Sequence, residues 1–136
     1  MPVRVMEAQV RSVDPRRLHW CVLRGGMLVG PGTAQEATVT RLLAGEERVP
    51  GDGRGFLSLV HVMDFAATVA YALERAPAGS VFNVVDQPVR QGEYLRRLAQ
   101  FVGATLPLHR PAEDGDPPSQ RCSNRRARET KLKTDT

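Results

Sequence analysis

The run HWCVLRGGMLVG at residues 19–30 constrains this chain more than any other feature. Its apolar content is nearly continuous rather than alternating, which predicts a strand covered on both faces, as in a parallel α/β sheet. Cys21 lies among apolar neighbours with no basic activator along the strand, so it reads as core and not as a nucleophile. Gly25 and Gly26 permit a bulge or a close approach of backbone. Gly30-Pro31-Gly32 then halts regular structure.

Around this strand the pattern alternates. Residues 3–13 place Val3, Met6 and Val10 on one helical face, with an end near Asp14-Pro15 because the residue before proline avoids helical geometry. Residues 33–44 form a second helix candidate. Thr33 and Glu36 have capping-box spacing, Val39, Leu42 and Leu43 supply an apolar face, and Gly45 suits a left-handed close. GEERVPGDGRG reads as a polar loop or loose hairpin. Residues 56–62 predict a second strand, followed by Asp64 as helix cap and a Phe65, Val69, Leu73 stripe. Residues 80–85 predict a third strand, and residues 93–102 a helix closed by Gly103. Residues 106–118 hold four prolines and read as a loop, with a short helix starting at Ser123. Alternation of this kind predicts α/β architecture. Three strands are few for a sheet with two covered faces, so partner strands are expected elsewhere.

Charge is unevenly placed. Of the net charge of +4, the last sixteen residues contribute six basic side chains against Glu129 and Asp135, so the body is nearly neutral. The expected division is an α/β body over residues 1–110 and a Pro-rich loop with a mobile basic tail over residues 111–136. The tail has no Phe or Tyr on which bases could stack, so a solvated end is expected in preference to nucleic-acid binding. No apolar run reaches the roughly 20 residues that span a bilayer, and charges interrupt the N-terminus, so a cytoplasmic location is expected. The two cysteines, Cys21 and Cys122, are expected as free thiols. His and Cys show no ligand spacing, and no metal is expected.

Four segments in order carry a resemblance. Leu23-Arg24-Gly25-Gly26-Met27-Leu28-Val29-Gly30-Pro31-Gly32 is similar to LRPGxVYGPG, with glycine for the proline and valine for the tyrosine. Val60-His61-Val62-Met63-Asp64-Phe65-Ala66 is similar to VHVDDvA. Phe82-Asn83-Val84-Val85-Asp86 with the following helix, and Ser123-Asn124 through Glu129, resemble two later landmarks. The final leucine-glycine-tryptophan-proline of the last landmark is replaced by TKLKTDT. Together they resemble the C-terminal half of the NAD(P)-dependent epimerase/dehydratase family, the extended short-chain dehydrogenases/reductases. The resemblance implies a partial Rossmann-type fold whose C-terminal portion shapes the substrate pocket.

The cofactor in that family is NAD or NADP. By resemblance, Gly25, Gly26 and Met27 would lie against its nicotinamide end. The chain has no GxxGxxG turn to cradle a pyrophosphate. It also has no YxxxK acid/base pair: Arg75 and Leu98 stand four residues after Tyr71 and Tyr94. Residues 6–13 resemble the end of the YxxxK helix, so the chain is expected to begin just after the catalytic residues. No catalytic residue is therefore expected here, and the cofactor is not expected to bind to this chain alone.

Candidate substrate contacts are Arg54, in the loop where the family receives substrate, His61 and Asn83. Each has a plainer reading: solvation for Arg54, a hydrogen-bonded strand histidine for His61, and a turn or sheet-edge bond for Asn83. Asp64 is accounted for by capping, and Arg24 by pairing with an acid as readily as by binding an anion. Leu57 occupies the position, four before the histidine, where nucleotide-sugar enzymes often carry arginine. The expected function is the substrate-binding half of an epimerase/dehydratase/reductase-like protein, partnered by a small-molecule substrate and by a missing N-terminal half or a second copy. The alternative is a non-catalytic interaction or oligomerisation module built on that fold.

Overall fold

A computed structural model describes residues 2–130 of the chain. The order is α1 Val3–Arg11, β1 Cys21–Gly25, β2 Met27–Val29, α2 Gln35–Leu43, β3 Arg48–Pro50, β4 Phe56–Leu57, β5 Leu59–His61, α3 Val62–Arg75, β6 Ser80–Val84, β7 Val89–Arg90, α4 Gln91–Val102, β8 Leu108–Arg110 and α5 Arg125–Glu129. The architecture is α/β and Rossmann-like, as expected. Among the described residues no helix is long and apolar enough to cross a membrane.

The expected long strands are broken. Residues 19–30 become β1 and β2, divided at Gly26, and residues 56–62 become β4 and β5, divided at Ser58. The breaks let one segment pair with two partners. β1 runs parallel to β6, with Leu23 opposite Phe82, while β2 runs parallel to β5, with Leu28 opposite Val60. The two ladders are joined where Gly26 N–H donates to the Val84 carbonyl (3.2 Å) and Asp86 N–H to the Leu59 carbonyl (2.7 Å). β4 pairs antiparallel with β7.

Two segments expected as loops also form a ladder, β3 alongside β8 in parallel, with Val49 opposite His109. A chain separation of about sixty residues hides this pairing from any local pattern. Each of the four ladders has two strands among the described residues, so β1 pairs with β6 alone.

One buried cluster joins Ala72 and Ala76 at the end of α3 with Phe82 of β6 and Ala127 of α5, and Cys21 and Leu23 of β1 pack against it. α2, α4 and β3 enclose a second set, Leu42, Val49, Leu95 and Ala99. The expectation that the first strand is covered on both faces does not hold here: Arg24 and Gly25 are exposed and Cys21, Val22 and Leu23 are half-buried. The expected α3 stripe also shifts. Thr68 and Ala72 are buried, whereas Leu73 is 85% exposed. α1 buries no residue at all, leaving Val3 and Met6 in solvent.

Residues 119–129, expected to belong to a loose tail, are seated on the body. Phe56 N–H donates to Ser119 Oγ, Gln120 N–H to the Phe56 carbonyl, and Cys122 N–H to Ser58 Oγ. Ala127 is fully buried. The remaining part of the expected tail, TKLKTDT from Lys131 on, lies outside the described residues apart from Thr130.

Candidate functional site

The passage from β1 to β2 is where the backbone changes ladders, and switch points at the carboxyl ends of parallel strands are where α/β folds bind ligands. The two glycines there answer to packing. A Cβ on Gly26 would lie 2.3 Å from the Ser58 carbonyl oxygen and 2.9 Å from Val85 Cγ1. A Cβ on Gly25 would lie 2.9 Å from the Phe65 ring. Gly26 N–H is already spent on Val84, and Met27 N–H donates to the Ser58 carbonyl at 2.9 Å. Of the three residues expected at a cofactor, Met27 alone offers a free side chain, 42% exposed at the start of β2.

Met27 lines a cleft of about 240 Å³. Its apolar wall is Met27, Leu57 and Leu95, and Tyr94 of α4 also lines it. Arg48 of β3 and Arg110 of β8 come in from the ladder that sequence patterns do not reveal. Arg110 is held in an ion pair with Asp116, and this guanidinium keeps the Asp116 carboxyl below the usual range. Arg41 pairs with Glu47 at 2.8 Å. Arg48 Nη1 donates to the carbonyls of Gly45 (2.8 Å) and Glu47 (2.9 Å), and no carboxylate lies within ion-pair distance of it among the described residues. Burial pushes the Tyr94 hydroxyl above its ordinary pKa, so it stays protonated at neutral pH.

Arg54, His61 and Asn83 do not join this cleft. Arg54 lines a separate hollow of about 390 Å³ with Arg90 and His109. His61 is the N-cap of α3: its Nδ1 accepts from Met63 N–H at 3.1 Å, the role expected of Asp64. Asp64 stands instead in the first turn, where an acid favours the positive helix end. The His61 ring also sits under Gly30, where a Cβ would come within 2.6 Å of Nε2. Asn83 Nδ2 donates to the Ser123 carbonyl at 3.3 Å, the sheet-edge bond of its plainer reading. Arg24 binds the Glu7 carboxylate through two hydrogen bonds of 2.8 and 2.7 Å.

A larger hollow, about 500 Å³, opens between the turn after β6 and the C-terminal segment. Its lining residues are mostly polar, among them Asp86, Arg121, Asn124 and Arg128, whereas ligand sites are mostly apolar with a few placed polar groups. The cleft at Met27 has a larger apolar share than this hollow. No group of three or more His, Cys, Asp or Glu able to hold a metal ion is present among the described residues.

Sequence patterns leave Arg48 and Arg110 in expected loops and put Tyr94 in the expected helix of residues 93–102.

Solved structures match this arrangement over nearly the whole chain. A UDP-glucose 4-epimerase from Thermotoga maritima, solved with UDP-glucose, matches with a TM-score of 0.71 and 25% identity over 93% of this chain and 43% of its own. A dTDP-glucose 4,6-dehydratase from Streptomyces venezuelae, solved with NAD, matches with a TM-score of 0.75 and 21% identity over 98% of this chain and 43% of its own. The chain shares its fold with the NAD-dependent epimerases and dehydratases. A curated relative from a Streptomyces species, a 3-diazoavenalumate denitrifying reductase, is 34% identical over 113 residues, 81% of this chain and 37% of the relative. The chain thus spans less than half the length of the proteins it matches, consistent with the C-terminal half expected from its motifs. No family model matches it.

Proposed function

We propose that this chain is the substrate-binding portion of an NAD(P)-dependent epimerase-, dehydratase- or reductase-like protein and performs no redox chemistry alone. The observation that carries this reading is the Met27 cleft at the β1–β2 switch, in a fold that accounts for under half of each matching epimerase and dehydratase. Met27 is the contact between the cofactor's reactive end and the substrate, and the cleft receives the substrate. The absence of GxxGxxG and YxxxK from the sequence supports assigning cofactor binding and proton transfer to another segment. Of the relatives, the reductase is the better guide to the substrate. Leu57 stands where nucleotide-sugar enzymes often place arginine, which tells against a nucleotide sugar.

Titration of the 136-residue chain with NADH and NADPH, followed by nicotinamide fluorescence, tests the division of labour. No saturable change is expected. Saturable binding at micromolar cofactor would show that the chain carries its own cofactor site and would overturn the reading.

A second reading, an interaction or oligomerisation module, is favoured by one observation: β1 pairs on one edge only among the described residues, beside the exposed apolar side chains of α1. Size-exclusion chromatography with light scattering distinguishes it, since a monomer at all concentrations removes it.

A further inference from the structure

The polar groups of the Met27 cleft specify more than its location. Gly30 N–H can only donate, and it donates to Gln35 Oε1 at 2.9 Å. That bond fixes the amide orientation and turns Gln35 Nε2 toward Tyr94, whose hydroxyl oxygen accepts at 2.9 Å. The phenol proton is then left with no acceptor among the described residues. Its protonated state, its half-buried position and the place of Tyr94 on the cleft wall leave that proton available to a guest.

The charges of the cleft are equally specific. Three arginines line it, with the carboxylates of Glu47 and Asp116. Those carboxylates neutralise Arg41 and Arg110. One positive charge, that of Arg48, is left for a ligand. A nucleoside diphosphate brings two or more negative charges. Its sugar conjugate also exceeds a volume of 240 Å³, which falls below the range of about 300 Å³ and upward typical of sites for drug-sized ligands.

We propose that the cleft takes a small monoanion with an apolar body, a carboxylate, held by the Arg48 charge and by a hydrogen bond from the Tyr94 hydroxyl. This rests on the reading of the cleft as the substrate pocket. Met27, Leu57 and Leu95 cover the apolar body. Tyr94 sets specificity for an acceptor oxygen, and Gln35 positions it.

Calorimetric titration of the full chain with 4-hydroxycinnamate, its uncharged methyl ester and UDP-glucose tests this. The carboxylate is expected to bind about tenfold more tightly than the ester, in line with the strength of a charged hydrogen bond, and more tightly than UDP-glucose. Y94F is expected to keep the melting temperature and to narrow the carboxylate-over-ester ratio. General loosening of the cleft would weaken both ligands alike and leave that ratio unchanged. Equal binding of acid and ester, tighter binding of UDP-glucose, or an unchanged ratio in Y94F overturns the proposal while leaving the cleft a ligand site. Failure of all three ligands to bind removes the cleft itself, and the proposed function with it.

Discussion

Replacing Gly26 by alanine tests how the two ladders are joined. The new Cβ would sit 2.3 Å from the Ser58 carbonyl oxygen, and ordinary contact begins near 3.4 Å, so the backbones must part by about 1 Å. Ser58 cannot yield alone. It is 3% exposed, its carbonyl accepts from Met27 N–H, and its hydroxyl is bonded to Gln120 and Cys122. Overpacking of a well-filled site costs about 1–3 kcal/mol, and the strained Met27–Ser58 hydrogen bond adds about 1 kcal/mol. A loss of about 3 kcal/mol, or about 10 °C in melting temperature for a chain of this size, is expected. Gly103→Ala is the control. Gly103 has φ 73° and no heavy atom near its Cβ position, so only left-handed strain of about 1–2 kcal/mol applies there. Urea unfolding followed by far-ultraviolet circular dichroism gives both values. If Gly26→Ala lies within about 1 kcal/mol of the wild type, or below Gly103→Ala, the β1–β2 passage does not run against Ser58.

Ala127 of α5 is fully buried against Phe82, so Ala127→Glu is expected to cost about 3 kcal/mol or more and to speed tryptic cleavage at Arg121 and Arg125; unchanged cleavage would mean the segment is not docked. His61→Ala is expected to lose about 1 kcal/mol with the α3 cap, and His61→Asn to restore most of it, as measured by urea midpoints. Equal midpoints for the two variants would contradict the capping role. Glu7 is held below its ordinary pKa of 4.5, first by its hydrogen bond from Arg24. A depressed carboxyl contributes stability that is present above its ordinary value and lost as pH falls through the lowered one. Arg24→Gln should therefore flatten the acid limb of the stability curve below about pH 5, with the difference shrinking in high salt, and parallel curves would rule out the pair.

Much of the frame was legible locally. The helices α1, α3 and α4 follow from their periodicity and from the closing Gly103, with φ 73°. The strands β1 and β6 form within the apolar runs at residues 19–30 and 80–85, and their pairing is parallel. Arg24 and Asn83 have structural partners, the Glu7 carboxylate and the Ser123 carbonyl. The α3 cap moves three positions, from the expected Asp64 to His61, whose ring nitrogen accepts from Met63 N–H.

What the chain determines by itself is where regular elements form and that they alternate, because hydrogen-bond periodicity and apolar spacing act over a few residues. Which face of α3 is buried, the division of the strands at Gly26 and Ser58, and the meeting of Arg48 with Arg110 were decided by the tertiary structure. Those features depend on backbones some thirty to sixty residues apart coming into contact, and the contact distance, not the local pattern, selects the residue that fits there.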